Sequence, residues 1–93
     1  DLPMKAKEYD GVRLLAELQG DFGEHVPQGT EGAVIEVFTN PEGYMIDVAI
    51  PDDSKDGGYR YDCVTVHPDQ FDVISVYAPP ANELGVNPSI ELK

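Results

Sequence analysis

Basic residues are scarce in this chain and unevenly placed. Six lysines and arginines stand against eighteen aspartates and glutamates among 93 residues, a net charge of −12. From Leu14 to Ser54 there is neither lysine nor arginine, while Glu17, Asp21, Glu24, Glu31, Glu36, Glu42, Asp47, Asp52 and Asp53 are all acidic. Nucleic-acid binding depends on Lys and Arg to release phosphate counterions. A surface of this sign repels phosphate, and anionic lipid with it. Nucleic acid and membrane surfaces are therefore excluded as expected partners. What remains is acidity that keeps a small domain dispersed, or an acidic face for a basic protein.

Cysteine is nearly absent too. Cys63 stands alone, so no internal disulfide supports the fold, and a reducing cytoplasm is the expected compartment. No run approaches the roughly 18 apolar residues of a membrane span, and no signal-peptide core is present. There is no internal repeat and no linker, so the length corresponds to one domain. A chain of this size buries about 60 to 65 per cent of its unfolded surface, which leaves a small core. Apolar residues make up 41%, enough for a folded domain. Met4-Lys5-Ala6-Lys7 reads as a native start, with Asp1-Leu2-Pro3 as an added remnant; a processed N-terminus is the other reading.

What the sequence does have is strand and turn patterning. Residues 1–9 read as a loose, polar lead-in. Val12 and Leu14 alternate with Arg13 in a first strand, which Ala16 to Gln19 extends or follows with a helical turn. Gln19 to Gln28 is a long acidic surface loop, with Phe22 and Val26 as its anchors to the core. Gly29 and Gly32 bracket a tight turn. Val34 to Phe38 follows, apolar on both faces except at Glu36, and so reads as a central or strongly bent strand. Thr39 to Gly43 is a hairpin loop. Tyr44, Ile46, Val48 and Ile50 then alternate with Met45, Asp47 and Ala49, the cleanest period-two pattern in the chain. After an acidic, glycine-containing loop, Tyr59 to Val66 forms a strand with Val64 and Val66 inward and Tyr59 and Tyr61 on the outer face or beyond a bulge. His67 to Gln70 suits one 3₁₀ turn, and Phe71 to Val76 is the last strand. Residues 77–93 form a C-terminal tail in which Ser89 to Leu92 is a candidate edge strand. The expected core is Ile35, Val37, Ile46, Val48, Val64, Val66 and Val73.

Five short strands, a long first loop and a 3₁₀ turn before the last strand are the order of a small all-β, SH3-like barrel spanning residues 10–76. Val12-Arg13-Leu14, the G-x-x-G-x-V-x-x-V of Gly29 to Val37, and Tyr44 to Val48 resemble a bacterial SH3-like-barrel domain family of unknown function. The resemblance covers about two-thirds of the chain. It implies the barrel fold and partner-binding roles, including toxin neutralisation, and brings no catalytic residues. The G-x-x-G also resembles the KOW-type motif of RNA-associated barrels, but the bases that role needs are missing.

Few residue groups suggest chemistry. Cys63 and His67 are four apart, a spacing that on a strand leading into a turn does not put them on one face; metal binding would need further ligands such as His25 or Asp69. Asp52, Asp53 and Asp56 lie in a glycine-containing loop, but the glutamate an EF-hand needs at position twelve falls on Cys63. No catalytic residue, cofactor or metal site is expected. Candidate partner-binding residues are Asp21, Glu24, Glu31 and Glu36 as one negative field, with Tyr44, Tyr59 and Tyr61 as aromatic anchors. The functional expectation is a non-enzymatic acidic module that docks a basic protein, of the inhibitor or immunity type. The alternative is an accessory domain of an enzyme complex.

The charge carries one direct expectation. The isolated protein should give no mobility shift with duplex DNA or RNA at physiological salt. A micromolar complex that weakens with added salt would overturn that reading of the charge.

Overall fold

The computed structural model describes residues 3–80. It contains β1 (Gly11–Leu14), β2 (Leu18–Gln19), β3 (His25–Val26), β4 (Glu31–Phe38), β5 (Gly43–Pro51), β6 (Tyr59–Val66) and β7 (Phe71–Ser75), with short 3₁₀ turns at Asp56–Gly58 and Pro68–Gln70. β6, β5, β4, β1 and β7 lie side by side in that order as one five-stranded sheet, and β2 pairs with β3 in a separate ribbon. All pairings are antiparallel. The candidate edge strand at Ser89 to Leu92, like most of the tail, lies outside the described residues.

β5 sets the register. Tyr44, Ile46, Val48 and Ile50 are all buried, as their alternation predicts. Across one edge Ile46 pairs with Val64 and Tyr44 with Val66; across the other Ile46 pairs with Val34 and Val48 with Gly32. Val12, Leu14, Val26 and Phe71 complete the centre of the core. Of the expected core, Ile46, Val48, Val64 and Val66 are buried, Val37 and Val73 are half-buried against it, and Ile35 is 39% exposed.

A β-bulge explains Ile35. Val34 faces Ile46 and Glu36 faces Met45, so Ile35 is the extra residue between two ladder positions. Strict alternation from buried Val34 would turn Glu36 inward and Val37 outward. The bulge reverses that phase, so Glu36 is exposed and Val37 returns to the inner side opposite Tyr44. A carboxylate is kept out of a small core at the cost of one exposed isoleucine.

Several local expectations are corrected. Gly29 turns the chain at φ 89°, but Gly32 lies inside β4. A Cβ there would sit 2.2 Å from the Asp47 carbonyl oxygen, so close backbone approach to β5 is what requires glycine. Val26 does anchor the first loop, whereas Phe22 is 82% exposed. Leu18–Gln19 is strand, not helix, because it pairs with His25–Val26. Residues 3–9 are a strap held to the sheet, not a loose lead-in. The main-chain N–H groups of Lys5 and Ala6 donate to the buried Tyr44 hydroxyl at 2.9 and 3.2 Å. That hydroxyl in turn donates to the Glu42 carboxylate. The Lys5 ammonium donates to the Pro68 and Phe71 carbonyls and lies 4.6 Å from the Phe71 ring centroid.

Two isoleucines on adjacent strands should therefore behave differently. Ile46→Ala should cost about 2–4 kcal/mol, from lost transfer energy plus a cavity, while Ile35→Ala should cost less than about 1 kcal/mol. Urea denaturation of both variants checks this; equal losses would contradict the bulge.

Candidate functional site

The outer face of β4, β5 and β6 collects most of the candidate residues, and the pairing register says which. Tyr61 stands beside Ala49, and Ala49 beside Glu31. In the next row Cys63 stands beside Asp47, and Asp47 beside Ala33. In the third, Thr65 stands beside Met45, and Met45 beside Glu36. Tyr59 pairs with Pro51 at the end of the face. Tyr61 is 68% and Tyr59 45% exposed, with ring centroids 6.2 Å apart. Ala49, the residue beside Tyr61, adds little bulk around that ring.

Asp21 joins this face from the β2–β3 turn. Its main-chain N–H donates to the Cys63 carbonyl at 2.8 Å, and the Cys63 thiol lies 3.8 Å from its carboxylate. Burial pushes the Cys63 thiol above its ordinary pKa, and the charges of Asp21, Asp62 and Asp47 push it further. The sulfur is thus held as a thiol, which is a poor nucleophile and metal ligand.

Of the four acids expected to make one negative field, two are answered by cations within the fold. Glu31 is paired with Arg13 at 2.9 Å, and Glu24 with Arg60 at 2.5 Å. Arg60 also reaches Asp52 at 2.9 Å. The base-free stretch of sequence is thus supplied with cations from outside it. Tyr44 is fully buried, with its ring edge-to-face on Phe71 at 5.1 Å, and presents nothing to a partner. Asp21, Glu36, Tyr59 and Tyr61 remain on the outer face. Asp47 joins them, and among the described residues no ion pair reaches Asp47 or Glu36. Its outward parity on β5 was readable in the sequence, but its place between Cys63 and Ala33 needed the pairing.

Asp62 is the residue that sequence reasoning missed. It shares the inward parity of Val64 and Val66 and is buried. Its carboxylate accepts main-chain N–H bonds from Phe22 at 2.9 Å, Glu24 at 3.0 Å and Cys63 at 2.6 Å. Burial alone would raise its pKa; the three N–H donors outweigh that and hold it below the ordinary carboxylate value. Gly20 makes room for the arrangement, since a Cβ there would lie 2.0 Å from Asp62 Oδ2. The β2–β3 turn, with exposed Phe22 and Asp21, is thereby fixed to β6.

Other chemistry finds little support. Among the described residues no group of three His, Cys, Asp or Glu side chains is placed to hold a metal. Asp52 is occupied by Ser54 and Arg60. No helix among the described residues is long and apolar enough to cross a membrane. Fold and face together define an all-β domain with a tyrosine-bearing acidic sheet face. No family model matches the chain, and neither a curated protein nor a solved structure matches it.

A depressed folded-state pKa at Asp62 gives stability that is present above the ordinary carboxylate value and is lost as pH falls through the folded value. Asp62→Asn places an amide among N–H donors and should cost about 1–3 kcal/mol at neutral pH. Its stability should also fall less steeply than wild type below about pH 4. Urea midpoints across that range test both; a constant offset from wild type would remove Asp62 from the acid response.

Proposed function

We propose that this protein is a non-enzymatic binding module whose β4–β5–β6 outer face docks a basic protein, in the manner of an inhibitor or immunity protein. The observation that carries this reading is the pair of exposed tyrosines on the same sheet face as Asp21, Glu36 and Asp47, acids that no ion pair within the described residues neutralises. Tyrosine provides contact area with a polar tip, and desolvated aromatic anchors dominate the energetics of many interfaces. The unpaired acids supply steering, which acts over about 8 Å at physiological ionic strength. Glu24 and Glu31 contribute less, because their charge is answered by Arg60 and Arg13.

The scaffold reading is an SH3-like barrel related to the bacterial family of unknown function. Its support is the strand order β6-β5-β4-β1-β7, a long excursion between β1 and β4, and a 3₁₀ turn immediately before β7. Cytoplasmic residence fits a thiol that has no second cysteine to pair with.

Immobilised protein should capture a basic protein from lysate of the source cells at low salt and lose it at high salt. With that partner in hand, Asp21→Lys/Glu36→Lys/Asp47→Lys should lower the on-rate tenfold or more, and Tyr61→Ala should mainly raise the off-rate. Surface plasmon resonance separates the two, with circular dichroism as the folding control. An unchanged on-rate in a folded triple variant would reduce the acidic face to a solubility feature.

A further inference from the structure

Phe22, in the β2–β3 turn, is the most exposed large hydrophobic side chain among the described residues, at 82%. The turn that carries it is held throughout. Five successive main-chain N–H groups are all paired. Gly20 donates to the Glu24 carbonyl at 2.8 Å, Asp21 to the Cys63 carbonyl at 2.8 Å, and Gly23 to the Gly20 carbonyl at 3.0 Å. Phe22 and Glu24 donate to the two oxygens of the buried Asp62 carboxylate, at 2.9 and 3.0 Å. The Gln19 side-chain amide donates to the Gly23 carbonyl at 3.1 Å, and Gly23 takes a φ of 96°, which a side chain would strain. A buried carboxylate is costly unless it is fully partnered, so the fold commits a buried charge to this turn. The ribbon's own packing is done by Leu18 and Val26, and Phe22 takes no part in it. An aromatic ring on a backbone already fixed needs little further ordering on association, and such preorganisation is a source of affinity at interface anchors.

Charge selects what covers it. Glu17, Asp21 and Glu24 flank Phe22 in sequence, and no lysine or arginine occurs from Leu14 to Ser54. Asp21 is in no ion pair among the described residues, Glu17 meets His25 at 3.5 Å, and Glu24 meets Arg60. A second copy, also of net charge −12, would bring like charges together, and anionic lipid would be repelled. The complementary surface is apolar at its centre and basic at its rim. The turn also borders the docking face, because the Asp21 N–H and carboxylate both meet Cys63 of β6. We propose that Phe22 is an apolar anchor that inserts into a hydrophobic socket, rimmed by lysine or arginine, on the basic protein partner. The inference rests on the binding-module reading and adds to it a contact outside the sheet face.

The test uses the full chain carrying Phe22→p-benzoylphenylalanine, irradiated in lysate of the source cells, with the crosslinked peptide identified by mass spectrometry. The expected product is a basic protein, crosslinked at an apolar residue that has lysine or arginine around it, and lost at high salt. Against that protein in purified form, Phe22→Ser should weaken binding about tenfold or more, chiefly through the off-rate, and Phe22→Leu should weaken it less. Both variants should keep the wild-type urea midpoint, because the ring stands in solvent. A loss of midpoint like that of Ile46→Ala would make Phe22 a structural residue and overturn the proposal. Crosslinks to a second copy, to lipid or to an acidic protein would overturn it as well, as would undiminished affinity of Phe22→Ser. Crosslinking from Tyr61→p-benzoylphenylalanine with none from position 22 would sink the anchor and leave the docking face intact. A basic partner that needs Phe22 but binds Asp21→Lys/Glu36→Lys/Asp47→Lys as fast as wild type would do the reverse.

Discussion

The burial of alternate residues along β5 is the constraint from which the rest of the structure follows. Tyr44, Ile46, Val48 and Ile50 all face the core, so Met45, Asp47 and Ala49 all face away. Strand pairing transmits that choice sideways to β4 and β6, because directly paired residues share a face. A slip of one residue would bury Asp47 and expose four large side chains, so the register has no competing solution. The composition of the outer face is therefore a consequence of core packing: its tyrosines and acids are what the inward set leaves over.

Acidity is handled by placement as much as by number. Lys5, Lys7, Arg13 and Arg60 are each drawn into contacts within the molecule. Exposed pairs of this kind add little to stability, typically below about 1 kcal/mol. Their larger effect is to decide where negative charge stays unanswered. Glu24, Glu31, Asp52 and Asp10 are neutralised close to home, while Asp47 and Glu36 are not. Negative charge thus stays unanswered on the outer face at Asp21, Glu36 and Asp47.

Two tethers give this small domain order beyond its core. Asp62 fixes the β2–β3 turn through main-chain hydrogen bonds, and the Tyr44 hydroxyl fixes the strap through two more. Both place a polar group at the core boundary with its partners supplied, and among the described residues no buried side-chain polar atom is left unsatisfied. A thin hydrophobic margin is thereby spared the penalty of orphaned polar groups. The first tether fixes the turn that holds Asp21 against Cys63, so an element that stabilises the fold also presets the face proposed for binding.

Residue order was enough for the all-β class, the span of β6, the period of β5, the 3₁₀ turn after His67 and the outward parity of Asp47, while it left Tyr59 and Tyr61 on the outer face or beyond a bulge. These are local properties: alternation, β-branching and proline placement act over a few residues and need no partner to be read. Folding in three dimensions settled that Ile35 is bulged out, that Gly32 serves a close approach between strands, and that the Tyr44 hydroxyl is tied to the strap. It alone brought Arg13 and Arg60 to the acids of a stretch that contains no base, and Asp62 to the N–H groups of a turn some forty residues away in sequence. Each of those outcomes is a contact between segments distant along the chain, and residue order carries no record of which side chains the strand register will bring within hydrogen-bonding distance.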